Sequence, residues 1–203
     1  MDFFLVVLLS YLCGSVPFGL ILAKLFSKVD IRKIGSGNIG ATNVLRTGNK
    51  YLALATLVLD ILKGYLPVLI TSQNYPELIQ LSCLFAFLGH LFPIWLKFKG
   101  GKGVATYLGI LFAISLPLSL LFIFTWLVVS LIFKYSSLSS MFGALTVFVV
   151  SFIKDTVLKS VNTNINFVDD VKLILFIFFI LIIFTHRKNI SNLKNKSEKK
   201  IKI

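Results

Sequence analysis

Six apolar runs, at 3–26, 51–71, 78–96, 103–133, 138–153 and 171–185, constrain this chain of 203 residues more than any other feature. A helix needs roughly 20 residues to cross the hydrocarbon of a bilayer. The run 103–133 is too long for one crossing, and Pro117, which lacks a backbone donor, divides it in two. The expectation is an all-α integral membrane protein with seven membrane-spanning helices. Some are short, and therefore tilted or embedded among neighbours. A content of 57% hydrophobic residues and a mean hydropathy of +0.90 place the chain outside the soluble class. One domain is expected over 1–203, with 187–203 a basic tail that is disordered or surface-bound beyond about residue 195. The start, MDFFLVVLLSYLCGS, lacks a basic leader and carries Asp2, so it reads as a retained first span.

The formal charge of +13 would point to nucleic acid in a soluble protein, but here the basic residues fall between and after the apolar runs. Their expected partner is the lipid bilayer, and no nucleic acid is expected. Lys24, Lys28, Arg32, Lys33, Arg46 and Lys50 precede the second run, Lys97, Lys99 and Lys102 follow the third, and the tail carries seven more from Arg187 onward. All lie on one side of a seven-span topology. The other side receives Asp2, Glu77 and a loop at 154–171 whose charges nearly balance. The positive-inside rule then puts the N-terminus outside and the C-terminus in the cytoplasm. Cys13 and Cys83 have no metal-like spacing, so neither a disulfide nor a metal site is expected.

Three polar islands fall on the basic side. The first, Gly35 to Arg46 (GSGNIGATNVLR), exposes backbone amides beside Ser36, Asn38, Thr42, Asn43 and Arg46, donors suited to an oxyanion such as phosphate. Its letters match G-x-G-x-x-G, but a dinucleotide site needs a strand before it and a βαβ unit around it, and a membrane span precedes this loop. The second island, Lys97 to Gly103, resembles a Walker A loop only superficially. Leu96 stands where its first glycine belongs, and Gly103 replaces the Ser or Thr that would hold magnesium. Glycine amides with a lysine at a helix start still favour an anion. The third island is His186 to Ile190. Serines 136, 137, 139 and 140 either cap the sixth segment or donate to a headgroup. Within the second run Asp60 and Lys63 share a helix face, as a structural ion pair or with Lys63 turned to the substrate.

In order and spacing these pieces resemble the bacterial acyl-phosphate:glycerol-3-phosphate acyltransferase family, PlsY. The matching stretches are Tyr11 to Gly19, Gly35 to Arg46, Asp60 to Gly64, Gly89 to Thr106, Ser137 to Ser140 and His186 to Glu198, which together reach across nearly the whole chain. The chain departs from the family at Asn192 and Lys196, where the family carries arginine and glycine. The resemblance implies a seven-helix enzyme of the bacterial plasma membrane with a cytoplasmic active site. It implies acyl phosphate and glycerol 3-phosphate as substrates, lysophosphatidic acid and phosphate as products, and the enzyme that makes acyl phosphate as a partner.

Acyl phosphate is a mixed anhydride with a stable leaving anion, so the site must chiefly hold phosphates and bring a hydroxyl to a carbonyl. Ser36, Gly37, Asn38 and Arg46, with Lys102 and its neighbours Gly101 and Gly103, are assigned to phosphate and oxyanion binding, with Asn43 among the substrate-binding residues. By resemblance, Ser140, His186 and Asn189 hold glycerol 3-phosphate. The hydroxyl proton passes to His90, to His186 or to a substrate phosphate oxygen. No cofactor and no metal are expected. The His-x-x-x-x-Asp signature of other acyltransferases is absent, since Trp95 and Ser191 occupy its acid position. An organic-phosphate transporter would place polar groups in both halves of the membrane, and a scaffold would need no such islands.

Overall fold

The computed structural model describes residues 1–161 and 171–201, with side chains described over 1–153 and 171–201. Among the described residues all regular structure is helical: α1 (Asp2–Ser15), α2 (Phe18–Ser27), α3 (Ala41–Val44), α4 (Lys50–Asn74), α5 (Ile79–Leu91), α6 (Val104–Ile114), α7 (Leu116–Phe133), α8 (Ser136–Val161), α9 (Lys172–Thr185) and α10 (Arg187–Lys194), with short 3-10 turns between them. Seven apolar segments result. Five are long enough to cross a bilayer: Asp2–Ser27, Lys50–Asn74, Pro76–Leu96, Leu116–Phe133 and Ser136–Ile153. The sixth is α9 with α10, bent by 55°, and the seventh is the short α6. The division of the long central run falls at Ser115, whose side chain caps α7 by accepting from Leu118 N, with Pro117 in the first turn.

Two differences from the sequence expectation stand out. The first span is broken at Val16-Pro17, where the missing proline N–H ends α1. The helix α8 runs on to Val161, into the stretch expected to be a charge-balanced loop; residues 162–170 of that loop lie outside the described residues.

The chain forms two compact units, Met1–Ala113 and Ile114–Ile203. In the first, α1 and α5 approach closely because each offers a glycine to the other's backbone. A Cβ on Gly14 would collide with Ala86 O, and one on Gly89 with Tyr11 O. Ser10 and Ser82 bond across the same contact at 2.8 Å, as small-residue packing in a membrane requires. The α4 helix is polar inward and apolar outward. Thr56, Asp60, Lys63, Pro67 and Thr71 are buried, while Leu54, Leu62, Leu66 and Ile70 are exposed. Pro67 cannot donate to Lys63 O one turn back, and the Cys13 thiol donates to that carbonyl instead, at 3.6 Å. In the second unit Gly143 of α8 lies against the Phe122 ring of α7, and Phe148 stacks on Phe179 of α9 at 5.7 Å between centroids.

Candidate active site

The first island is organised by one side chain. Asn43, on the short α3 and only 2% exposed, donates from Nδ2 to Ile31 O and to Asn38 O, each at 2.7 Å. Its Oδ1 accepts from Ser36 N at 2.9 Å and from Ser36 Oγ at 3.2 Å. The primary amide thus replaces the ladder that a loop lacks, and the loop curls around it. Gly35 and Gly37 have φ of 57° and 70°, the left-handed region where a side chain is disfavoured. At Gly35 a Cβ would also strike Asn43 Oδ1.

Arg46 lies across this turn, its Nη1 at 3.4 Å from Asn43 Oδ1. It is exposed, and no carboxylate pairs with it among the described residues. Arg32 differs, because its guanidinium grips Asp30 through two hydrogen bonds, of 2.9 and 2.7 Å. Those side-chain bonds, reinforced by the Arg32 backbone N–H and charge, hold the Asp30 carboxyl well below the usual carboxylate range. Arg32 is therefore neutralised where it stands. Arg46 keeps its charge beside the exposed Ser36 and Gly37.

The second island folds back on the end of α5. Gly100 N donates to Leu91 O at 3.1 Å and Gly101 N to His90 O at 3.0 Å. The Gly103 carbonyl accepts from Tyr107 N at 2.7 Å, so α6 begins immediately after Lys102 and Gly103. His90 is buried, with Nδ1 at 3.1 Å from Thr106 Oγ1. Lys63 Nζ is 2.8 Å from Asp60 Oδ1, near enough for charge pairing though not aligned as a hydrogen bond. The same ammonium donates to Val16 O at 2.7 Å. Lys63 is thereby engaged at the break in the first span, which favours the structural reading of the pair.

In the second unit His186 sits at the bend between α9 and α10 and is 1% exposed. Its Nδ1 is 2.8 Å from Ile182 O. A carbonyl can only accept, so Nδ1 carries a proton at this contact. One turn on, Asn189 Nδ2 donates to Glu198 Oε1 at 2.6 Å. Ser137 Oγ reaches the same oxygen at 3.0 Å, and Asn192 Nδ2 reaches Oε2 at 3.2 Å. Ser140 donates to Ser136 O at 2.8 Å and accepts from Trp126 Nε1 at 3.2 Å. The serine that shares a partner with Asn189 is thus Ser137.

Residues 196–201, within the stretch expected to be disordered or surface-bound, are ordered by bonds to their own unit. Glu198 draws them in, and Ile201 N donates to Lys134 O at 2.7 Å. Sequence reasoning passed over Glu198, although a lone acid in a lysine-rich tail was a signal in plain view. Trp126 left no comparable signal. At the two departures from the family pattern, Asn192 supplies an amide to Glu198, and Lys196 adopts a φ of 54°, a conformation that favours glycine.

The model of the family described as glycerol-3-phosphate acyltransferase matches residues 4–196. A glycerol-3-phosphate acyltransferase of Pelagibacter ubique (strain HTCC1062) is 57% identical over 203 residues, spanning 100% of both chains. One from Wolbachia pipientis subsp. Culex pipiens (strain wPip) is 45% identical over 98% of this chain and 99% of its own. The structure is also similar to the crystal structure of PlsY (YgiH), an integral membrane glycerol 3-phosphate acyltransferase, in its glycerol 3-phosphate form. That likeness has a TM-score of 0.89 and 35% identity, over 100% of this chain and 96% of that one. The lysophosphatidic acid form of the same protein gives 0.87 and 34% over the same shares. With its helical membrane segments and its phosphate-suited islands, this chain belongs to the glycerol-3-phosphate acyltransferase family.

Proposed function

We propose that the protein transfers a fatty acyl group from acyl phosphate to the sn-1 hydroxyl of glycerol 3-phosphate, at the cytoplasmic face of the bacterial plasma membrane. The products are lysophosphatidic acid and inorganic phosphate. The observation that carries this reading is the Asn43-centred loop, which holds the uncompensated Arg46 beside the exposed Ser36 and Gly37. The Ser36 and Gly37 amides that looked open in the sequence are spent inside the loop, on Asn43 Oδ1 and Ile34 O, so the exposed guanidinium beside the Ser36 hydroxyl on this preformed turn is what suits a phosphoryl group and the oxyanion that develops at the adjacent carbonyl. The solved relatives named for their glycerol 3-phosphate and lysophosphatidic acid forms support the acceptor and the product.

In the reaction the acceptor hydroxyl oxygen attacks the acyl carbonyl carbon, the bond from that carbon to the phosphate oxygen breaks, and phosphate leaves with the bonding pair. Ser36, Gly37, Asn38, Arg46 and Lys102 hold the phosphoryl and carbonyl oxygens, while Gly101, whose N–H is given to His90 O, and Gly103 shape the turn that carries Lys102. Asn43 acts on the first island by shaping its loop. His186 and Asn189 hold glycerol 3-phosphate, whereas Ser140, whose hydroxyl is given to Ser136 O, serves the start of α8. The hydroxyl proton passes to His186 or to an oxygen of the departing phosphate. The enzyme that makes acyl phosphate is the partner that supplies the donor.

The test uses purified protein in detergent with acyl phosphate and glycerol 3-phosphate, followed by phosphate release. Release that requires both substrates is the expected result. Uptake of labelled glycerol phosphate into liposomes with no lysophosphatidic acid formed would overturn the enzyme reading in favour of transport.

A further inference from the structure

His90 meets the second island in three ways. Its carbonyl accepts from Gly101 N at 3.0 Å. A Cβ on Gly100 would collide with that same carbonyl. The third contact is at the ring, where Gly101 lies directly against Nε2, so that a Cβ there would collide with the nitrogen. The other ring nitrogen, Nδ1, is 3.1 Å from Thr106 Oγ1 and 4.0 Å from Asp60 Oδ1. Thr106 is itself fixed against α4, because its carbonyl lies where a Cβ of Gly64 would be. A chain of contacts therefore runs from Gly64 of α4 through Thr106 and His90 to Gly101, one residue before Lys102.

We propose that His90 is a positioning residue: it seats the Gly100–Gly103 turn and thereby fixes where Lys102 presents its ammonium, and it does not take the substrate proton. The role deepens the acyl-transfer reading and rests on it. The ring is 4% exposed, and its nitrogens face Thr106 and Gly101. A general base must come within hydrogen-bond reach of the proton it abstracts. Here the turn occupies that position on the Nε2 side and a threonine hydroxyl on the Nδ1 side. The glycines of this island then have two tasks, since Gly100 and Gly101 admit the histidine while Gly103, at φ 81°, turns the chain into α6.

The experiment compares Thr106→Val, Thr106→Ser and His90→Gln with the wild type, reading kinetics and hydrogen exchange of the Gly100 and Gly101 amides. Thr106→Val keeps the shape and removes the hydroxyl. It is expected to lower kcat/KM for the phosphate substrates about tenfold, the scale of one hydrogen bond, and to speed exchange of both amides. Thr106→Ser restores both readouts. His90→Gln, which cannot act as a base at neutral pH, is expected to keep the wild-type shape of the pH profile of kcat. Wild-type kcat/KM and exchange in Thr106→Val would overturn the proposal. So would abolition of turnover in His90→Gln with Gly100 and Gly101 exchange unchanged. A wild type that turns over neither substrate would refute the acyl-transfer reading instead, and the exchange data alone would then decide whether His90 seats the turn.

Discussion

Replacing Asn43 by alanine separates the shape of the first island from its chemistry. The substitution removes the donations to Ile31 O and Asn38 O and the acceptance from Ser36 N, bonds of 2.7, 2.7 and 2.9 Å. The Ile31 carbonyl keeps only the longer bond from Ile34 N, at 3.4 Å. Each of the three lost bonds contributes about 0.5–1.5 kcal/mol net. Ser36 is exposed and finds water in part, so the lower half of the combined range applies, about 1.5–3 kcal/mol. That loss opens the loop locally and does not unfold the protein, because Asn43 serves one turn. A loss of about 2 kcal/mol corresponds to roughly a thirtyfold fall in the population of the closed loop. Activity by phosphate release should fall by a similar factor, while thermal unfolding of the purified protein shifts little. The isosteric Asn43→Asp is the sharper variant. It keeps the acceptor for Ser36 N but sets carboxylate oxygens against two carbonyls, and it should be no better than alanine. Wild-type kcat/KM in Asn43→Asp would refute the reasoning, since no donation to Ile31 O and Asn38 O would then be needed.

Further outcomes are expected from the same geometry. Arg46→Ala and Lys102→Ala should each lower kcat by at least about two orders of magnitude, the scale for losing an oxyanion donor, and near-normal turnover in either would remove that residue from the phosphate site. Glu198→Ala should release residues 195–201 from their unit and speed proteolysis of the tail; an unchanged cleavage rate would show that the bonds to Ser137, Asn189 and Asn192 do not hold it. Lys196→Gly should raise stability by roughly 1 kcal/mol, because glycine relieves the left-handed conformation at φ 54°, and a fall in melting temperature would contradict that assignment. For Asp30, a carboxyl lowered by Arg32 contributes its stabilisation at and above the usual carboxylate range and loses it only as pH falls below that range. In Arg32→Ala the Asp30 titration, followed by NMR, should return upward to that range.

Much of this was readable from the residues alone, and the reasons are local. Apolar run length sets the number of segments whatever their packing, and Pro117 marks the division of 103–133 because a missing donor acts within one turn. The break at Val16-Pro17 depends on the same chemistry, yet it escapes a reading by run length, since the apolar stretch continues through it. The islands were legible as donors, but their division of labour was not. Asn43 and Arg46 look alike as polar neighbours in the sequence. Only the placement of Ile31, twelve residues earlier, turns Asn43 inward as the frame of the loop. The docked tail escaped notice because composition reports the lysines, whereas the fold depends on Glu198 meeting Ser137 across 61 residues of chain.

The central claim is direct transfer of an acyl group from a phosphate to a hydroxyl. Glycerol 3-phosphate carrying oxygen-18 at its sn-1 hydroxyl, incubated with purified protein and unlabelled acyl phosphate, tests it by mass spectrometry of both products. Attack at the carbonyl carbon leaves the label in the ester oxygen of lysophosphatidic acid and releases unlabelled phosphate. Failure to form labelled lysophosphatidic acid, or label bonded to a transferred phosphoryl group, would contradict it.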